Sequence, residues 1–182
     1  MTIGEQVLNV LKSRTTEVQD VVDKMRELED RKKNDHLDQK YIRDVLDPKL
    51  TELRVKRGNI KNLTEAEIRK MTEEYMEQVR NSHRLNGGEL TDDARLLSFP
   101  GLLRAEDVDA IMDRSQGNHT MLQLAARYAE QNGLKINRVY DSGKAAEIKA
   151  VTDLQGVGVL YIKNWMDSNR AQEMLEKFFI VR

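Results

Sequence analysis

Near the start of the chain, Val7, Leu11, Val18, Val21, Met25 and Leu28 recur at alternating four- and three-residue steps, with Arg14 filling one slot. That spacing puts the side chains on one stripe of a helix. The intervening positions are mostly charged or amide residues, so the stripe is narrow, close to a coiled-coil seam. Thr2, with Glu5 three positions on, has the form of a capping box. From Glu29 to Asp35 the apolar anchors lapse. They resume in a shifted phase at Leu37, Tyr41, Ile42, Val45 and Leu46. One long helix with a stutter, or two helices joined near Asn34, would both produce this.

Asp47-Pro48 predicts a kink or a helix restart, because proline disfavours helical geometry in the residue before it yet suits a first turn. Leu50, Leu53 and Val55 then fall on the buried side, and Arg57-Gly58-Asn59 reads as a helix end. Leu63-Thr64-Glu65-Ala66-Glu67 reads as a new start with Thr64 as cap, followed by Ile68, Met71, Tyr75, Val79 and Ser82 on one face. Asn86-Gly87-Gly88 stops it. Such a pair folds back as an antiparallel hairpin or lies in a coiled coil.

Beyond Glu89 the pieces are short. Thr91-Asp92-Asp93 caps a brief helix through Leu97, and Ala105-Glu106-Asp107 opens another that buries Val108, Ile111 and Met112. Thr120 to Gln131 is a compact helix with Leu122, Ala125, Ala126 and Ala129. Leu134 to Tyr140 alternates like a half-buried strand. Lys144 to Leu154 is helical, Gly156-Val157-Gly158 reads as a joint before Val159 to Met166, and Ser168 caps a last helix with Ala171, Met174, Leu175 and Phe178. Phe179-Ile180-Val181 is expected to dock on the core. The fold class expected is mainly α: long N-terminal helices over 1–86, then a compact bundle of short helices over 89–182 with at most a short strand. No internal repeat is visible.

Composition fits this picture. Of 182 residues 34% are charged and 5% aromatic, as suits helices with much surface and a modest core. The net charge of −1 gives no global field toward nucleic acid or an anionic membrane, so any such contact needs a local patch. There is no cysteine, hence no disulfide and no thiolate zinc site. No secretory leader or bilayer-length apolar run is read, and the cytoplasm is the expected location.

Catalytic chemistry finds no motif. His36, His83 and His119 lie in no metal-ligand spacing, and neither a nucleophile elbow nor a phosphate loop occurs. Asp92-Asp93 and Asp107-x-Asp109 suit helix caps better than a metal. The chain is therefore expected to be no enzyme, without metal or cofactor. The basic stretch Lys49, Arg54, Lys56, Arg57 and Lys61 is the candidate for nucleic-acid or partner contact, beside the plainer reading of a solvated face. Asp107 to Gln131 has the outline of a helix-turn-helix. Asp113 occupies the position where alanine is usual, however, and Met121, Gln123 and Arg127 make a poorly basic reading helix. The seam Val7, Leu11, Val18, Val21, Met25 and Leu28 suits pairing within the chain, with a second copy, or with a partner. Trp165 and Tyr161 suit core packing first and an interface second.

Glu89 to Leu97, Asp107 to Met112, Gly117 to Leu122 and Ala125 to Gly133, preceded by charged helices from Leu53 to Val79, resemble small helical proteins of phages and prophages of Gram-positive bacteria. Anti-CRISPR inhibitors of Cas9 of about this size belong to that group. The resemblance implies a non-catalytic binder of host Cas9 or its guide-RNA complex, blocking target DNA by occlusion. It carries no functional residue over. A head-assembly or scaffolding protein, self-associating through the N-terminal helix, fits the same resemblance, and a DNA-binding regulator is a third reading.

Overall fold

The computed structural model describes residues 1–34 and 36–180, without the side chains of Asn34, Phe178 and Ile180. It is mainly α, at 76% helix, with no strand among the described residues. Packing divides the chain into two units, Met1–Tyr75 with everything from Ala150 onward, and Met76–Lys149. This partition differs from the expected 1–86 and 89–182. The C-terminal helices return to the core of the N-terminal ones instead of joining the short helices.

In the first unit, α1 spans Ile3–Asn34. Its start is the predicted capping box: the Thr2 amide donates to Glu5 Oε2 at 2.7 Å and the Glu5 amide to Thr2 Oγ1 at 3.2 Å. Arg31, Lys32 and Lys33 close it, cations at the negative end of the helix dipole. The stutter is thus a helix end at Asn34, while Asp35 lies outside the described residues. Asp38 caps α2, Gln39–Tyr41, by accepting from the Lys40 amide. A π-helical turn, Ile42–Leu46, leads into α3, Asp47–Ser82. The widened turn sits where the Pro48 ring would collide with a carbonyl of a regular helix, so the expected kink takes the form of a π-turn.

The expected helix end at Gly58 and new start at Thr64 do not occur; α3 runs through both. Thr64 is buried and donates its hydroxyl to Ile60 O at 2.6 Å, and Thr72 does the same to Ile68 O at 2.8 Å. Ile60, Thr64 and Ile68 face the core, and burying them outweighs the local stop signals. α7, Lys144–Asn164, likewise passes unbroken through Gly156 and Gly158. Gly158 is the site of a close approach: a Cβ there would lie 3.5 Å from Ile68 Cδ1 and 3.8 Å from Val7 Cγ1. α8 spans Ala171–Leu175, with Arg170 rather than Ser168 at its cap position, and a π-turn Glu176–Ile180 follows. Phe179 packs on the core as expected, whereas the expectations for Phe178, Ile180 and Val181 fall outside what is described.

Val7, Leu11, Val18, Val21 and Met25 are buried with Leu50, Ile60 and Ile68 of α3, Tyr161 and Ile162 of α7, then Met166, Ala171 and Leu175. Arg14 is not part of this stripe: it points outward to Glu17 at 2.9 Å and Glu67 at 3.3 Å. Its neighbour Thr15 takes the slot, fully buried, with Oγ1 2.8 Å from the Tyr161 hydroxyl. That hydroxyl donates to Ala171 O at 3.1 Å, so Thr15 is the donor in their shared bond. Burial pushes the Tyr161 phenol up to about 12.

In the second unit, α4 (Asp93–Leu96), α5 (Ala105–Arg114) and α6 (His119–Gln131) enclose Val108, Ile111, Met112, Met121, Ala125, Tyr128 and Ala129. Asn118 caps α6 by accepting from the Met121 amide at 3.0 Å. Leu134 to Tyr140 forms no strand. Instead, the Asp109 carboxylate accepts from the Asn137 and Arg138 amides, each at 3.0 Å, and these bonds hold its pKa below the usual carboxylate value. A carboxylate thus supplies the hydrogen bonds that a neighbouring strand would have supplied.

The uninterrupted helices make a direct prediction. No atom lies within 4 Å of a Cβ built on Gly58 or Gly156. Gly58→Ala and Gly156→Ala should each stabilise the protein by about 0.5–1 kcal/mol in urea titration, through helix propensity alone. A loss of stability on either change would mean that the helix breaks there.

Candidate interaction surface

The basic stretch does not form one surface. At about 100° of helical rotation per residue, Lys49 and Lys56 fall on one line of α3, and Arg54, Arg57 and Lys61 turn to another side. Arg54 pairs with Glu29 at 3.4 Å. Arg57 and Lys61 converge on Asp167, at 3.7 and 3.4 Å, and Lys61 Nζ also donates to Lys163 O at 3.3 Å. From α1, Gln19 Nε2 donates to Met166 O and Ser168 O, each at 3.2 Å, and Arg26 bonds Asn169. The basic side chains therefore help fasten the turn between α7 and α8. Lys49 and Lys56 alone stay exposed without an ion pair among the described residues.

The predicted seam is occupied too. Val7, Leu11, Val18, Val21 and Met25 expose 0–7% of their surface, and Leu28 is partly buried. The chain's own helices fill it from Val7 to Met25, which is the intrachain pairing, and only Leu28 at its end keeps part of its surface open. Trp165 packs partly buried against the same core.

The remaining candidate groups hold the second unit together. His83 has Val79 O 2.8 Å from Nδ1 and Ser142 O 2.9 Å from Nε2, tying the end of α3 to the segment before α7. His119 lies 5.7 Å from the His83 ring and within reach of the Tyr140 hydroxyl. Asp93 grips the Arg114 guanidinium at 3.1 Å, and Asp107 accepts from the Arg104 amide at 2.9 Å. These carboxylates serve as cap and ion-pair partner, and no cluster suited to a metal occurs among the described residues. Of the three residues placed by sequence on a DNA-reading face, Met121 is fully buried between α5 and α6, Gln123 is half-buried and Arg127 is exposed, so they share no outward face.

What the sequence reading passed over is the loop between α4 and α5. Leu96, Phe99 and Leu102 expose 41%, 59% and 56% of their surface. Their backbone is held on all sides. The buried Tyr128 hydroxyl donates to Phe99 O at 3.1 Å and accepts from the Leu103 amide at 2.9 Å. Asn132 Oδ1 accepts from the Gly101 amide at 2.9 Å, while its Nδ2 donates to Tyr128 O at 2.8 Å. Gly101 sits at φ +73°, a conformation that other residues rarely adopt. Beside the loop opens a groove of about 270 Å³ lined by Ala94, Leu97, Leu124, Arg127 and Tyr128. Ser98-Phe99-Pro100-Gly101 was legible only as a helix stop. The available signal was that Phe99 and Leu102 flank a Pro-Gly turn and belong to no helical stripe.

No protein-family model, characterised protein or solved structure matches this chain.

Asn132 offers a test of how firmly the loop is held. Asn132→Ala removes the acceptor of the Gly101 amide, worth about 1 kcal/mol. Amide exchange at Gly101 should then accelerate severalfold while exchange in α5 is unchanged. Equal acceleration in both would mean that the substitution loosens the whole unit.

Proposed function

We propose that this protein acts by binding another protein, with Leu96, Phe99 and Leu102 as its anchor. The observation that carries this is the combination of exposed apolar side chains and a backbone fixed by Tyr128 and Asn132. Large apolar groups on the surface cost solubility, and groups of them mark contact sites. Holding them rigidly cuts the entropy lost on docking, and phenylalanine is among the side chains enriched in protein interfaces.

The resemblance of Glu89 to Gly133 to phage proteins makes Cas9 charged with guide RNA the partner to test first, with occlusion of target DNA as the mode of action. Because Arg54, Arg57 and Lys61 are engaged inside the chain, this reading places the contact on shape and apolar surface rather than on phosphate neutralisation. The experiment is DNA cleavage by purified Cas9 and guide with excess protein. Wild type should suppress cutting. A Phe99→Asp, Leu102→Asp chain with unchanged circular dichroism should lose at least tenfold in potency, as removal of an interface anchor does. Undiminished cutting with wild type eliminates Cas9 as the partner, and equal potency of the variant eliminates the loop as the anchor.

A further inference from the structure

The first unit carries a surface of its own. α1 and α3 run antiparallel here, as the ion pairs Lys32–Asp47 at 2.6 Å and Glu29–Arg54 at 3.4 Å show: the residue number falls on one helix as it rises on the other. Between them lies a groove of roughly 320 Å³ lined by Lys24, Glu27, Leu28, Lys49, Glu52 and Leu53. The two contributions are the same motif. Lys24-Met25-Arg26-Glu27-Leu28 and Lys49-Leu50-Thr51-Glu52-Leu53 share lysine, an apolar residue, glutamate and leucine at identical spacing. In each, the second residue (Met25, Leu50) is buried in the core and the leucine is partly buried against it. An antiparallel pair carrying one motif on both members has an approximate two-fold axis through the groove.

The rim has an unusual charge state. Lys24, Glu27, Lys49 and Glu52 are exposed, and none has an ion pair or side-chain hydrogen bond among the described residues. Neighbouring charges on the same helices do pair, such as Arg26 with Asp23 and Lys32 with Asp47. A floor of two leucines with a rim of two unpaired lysines and two unpaired glutamates, arranged about a two-fold, is complementary to itself. Rotating a copy by 180° sets lysines against glutamates on both sides at once, which is the condition for an isologous interface.

We infer that this groove is where a second copy of the chain docks, α1 and α3 of each protomer forming a four-helix contact. Leu28 and Leu53 meet their counterparts at its centre, and Lys24 and Lys49 face Glu27 and Glu52 of the other protomer. The groove is small, so the dimer belongs to the weak, salt-sensitive class and fills at high protein concentration. The inference is independent of the partner-binding loop, and either can fail without the other.

Sedimentation velocity of the full chain, from low micromolar to about 1 mM, tests it. Wild type should pass from monomer to dimer across that range. Lys24→Glu with Lys49→Glu makes the rim wholly acidic, and Glu27→Lys with Glu52→Lys makes it wholly basic. Each doubly substituted chain should stay monomeric, with the dissociation constant raised at least tenfold, while circular dichroism stays unchanged because all four positions are exposed. An equimolar mixture of the two should recover dimer as a heterodimer, which mere damage to the fold would not give. A wild type that remains monomeric to the top of the range overturns the inference. So does a dimer that survives either reversal, or a mixture that fails to recover.

Discussion

The first unit depends on one buried contact, that of Thr15 in α1 with Tyr161 in α7 and, through the same hydroxyl, with Ala171 at the start of α8. The stripe that opens the chain is too narrow to be a core alone. It becomes one because the last helices return and close over it, and the Thr15–Tyr161–Ala171 chain fixes the register in which they do so. A polar pair in an apolar interior is costly if mismatched and harmless if matched, which makes it a register device rather than a large source of stability. Gly158, three residues before Tyr161, lets α7 come close enough to Val7 and Ile68 for the match to form.

That closure redistributes the roles of surface residues. Charges that read as a phosphate-binding run become fasteners for the turn after α7, since Asp167 lies within reach of Arg57 and Lys61 once α7 is in place. Of the residues that read as a dimer seam, all but Leu28 become interior. What remains outward on the hairpin is the line of Lys24, Glu27, Leu28 and its repeat in α3, one step around each helix from the buried stripe. In the second unit the same economy holds on a smaller scale. Asp109 stands in for a strand, and Tyr128 and Asn132 hold the Phe99 loop with side chains instead of regular backbone pairing.

Much of the helix content was legible because apolar spacing is a strong signal over long segments, and the caps at Thr2 and Asp107 follow from local hydrogen-bond chemistry. The errors share one cause. Gly58, Thr64, Gly156 and Gly158 are local stop or start signals, and each was overruled by burial of neighbours contributed from distant parts of the chain. Thr15 escaped notice because a threonine in an apolar stripe looks like a gap until its partner, far along the sequence, is known. The packing units differ from a division at 1–86 and 89–182 for the same reason, as chain order says nothing about which helices come back. The Phe99 loop and the paired lysine-glutamate-leucine motif are harder still. Both are defined by what their side chains do not touch, and only a structure supplies that.

The claim on which this account rests is that the α1 stripe is completed by the chain's own C-terminal helices. A double-mutant cycle with Thr15→Val and Tyr161→Phe, read by urea unfolding of dilute monomer, tests it most directly. On this account Tyr161→Phe should cost about 1–3 kcal/mol by stranding the Thr15 hydroxyl and Ala171 O, Thr15→Val about 1 kcal/mol by removing one bond to a hydroxyl that keeps the other, and the double change less than the sum by roughly 1 kcal/mol. Additive effects, with no coupling between the two positions, would contradict it.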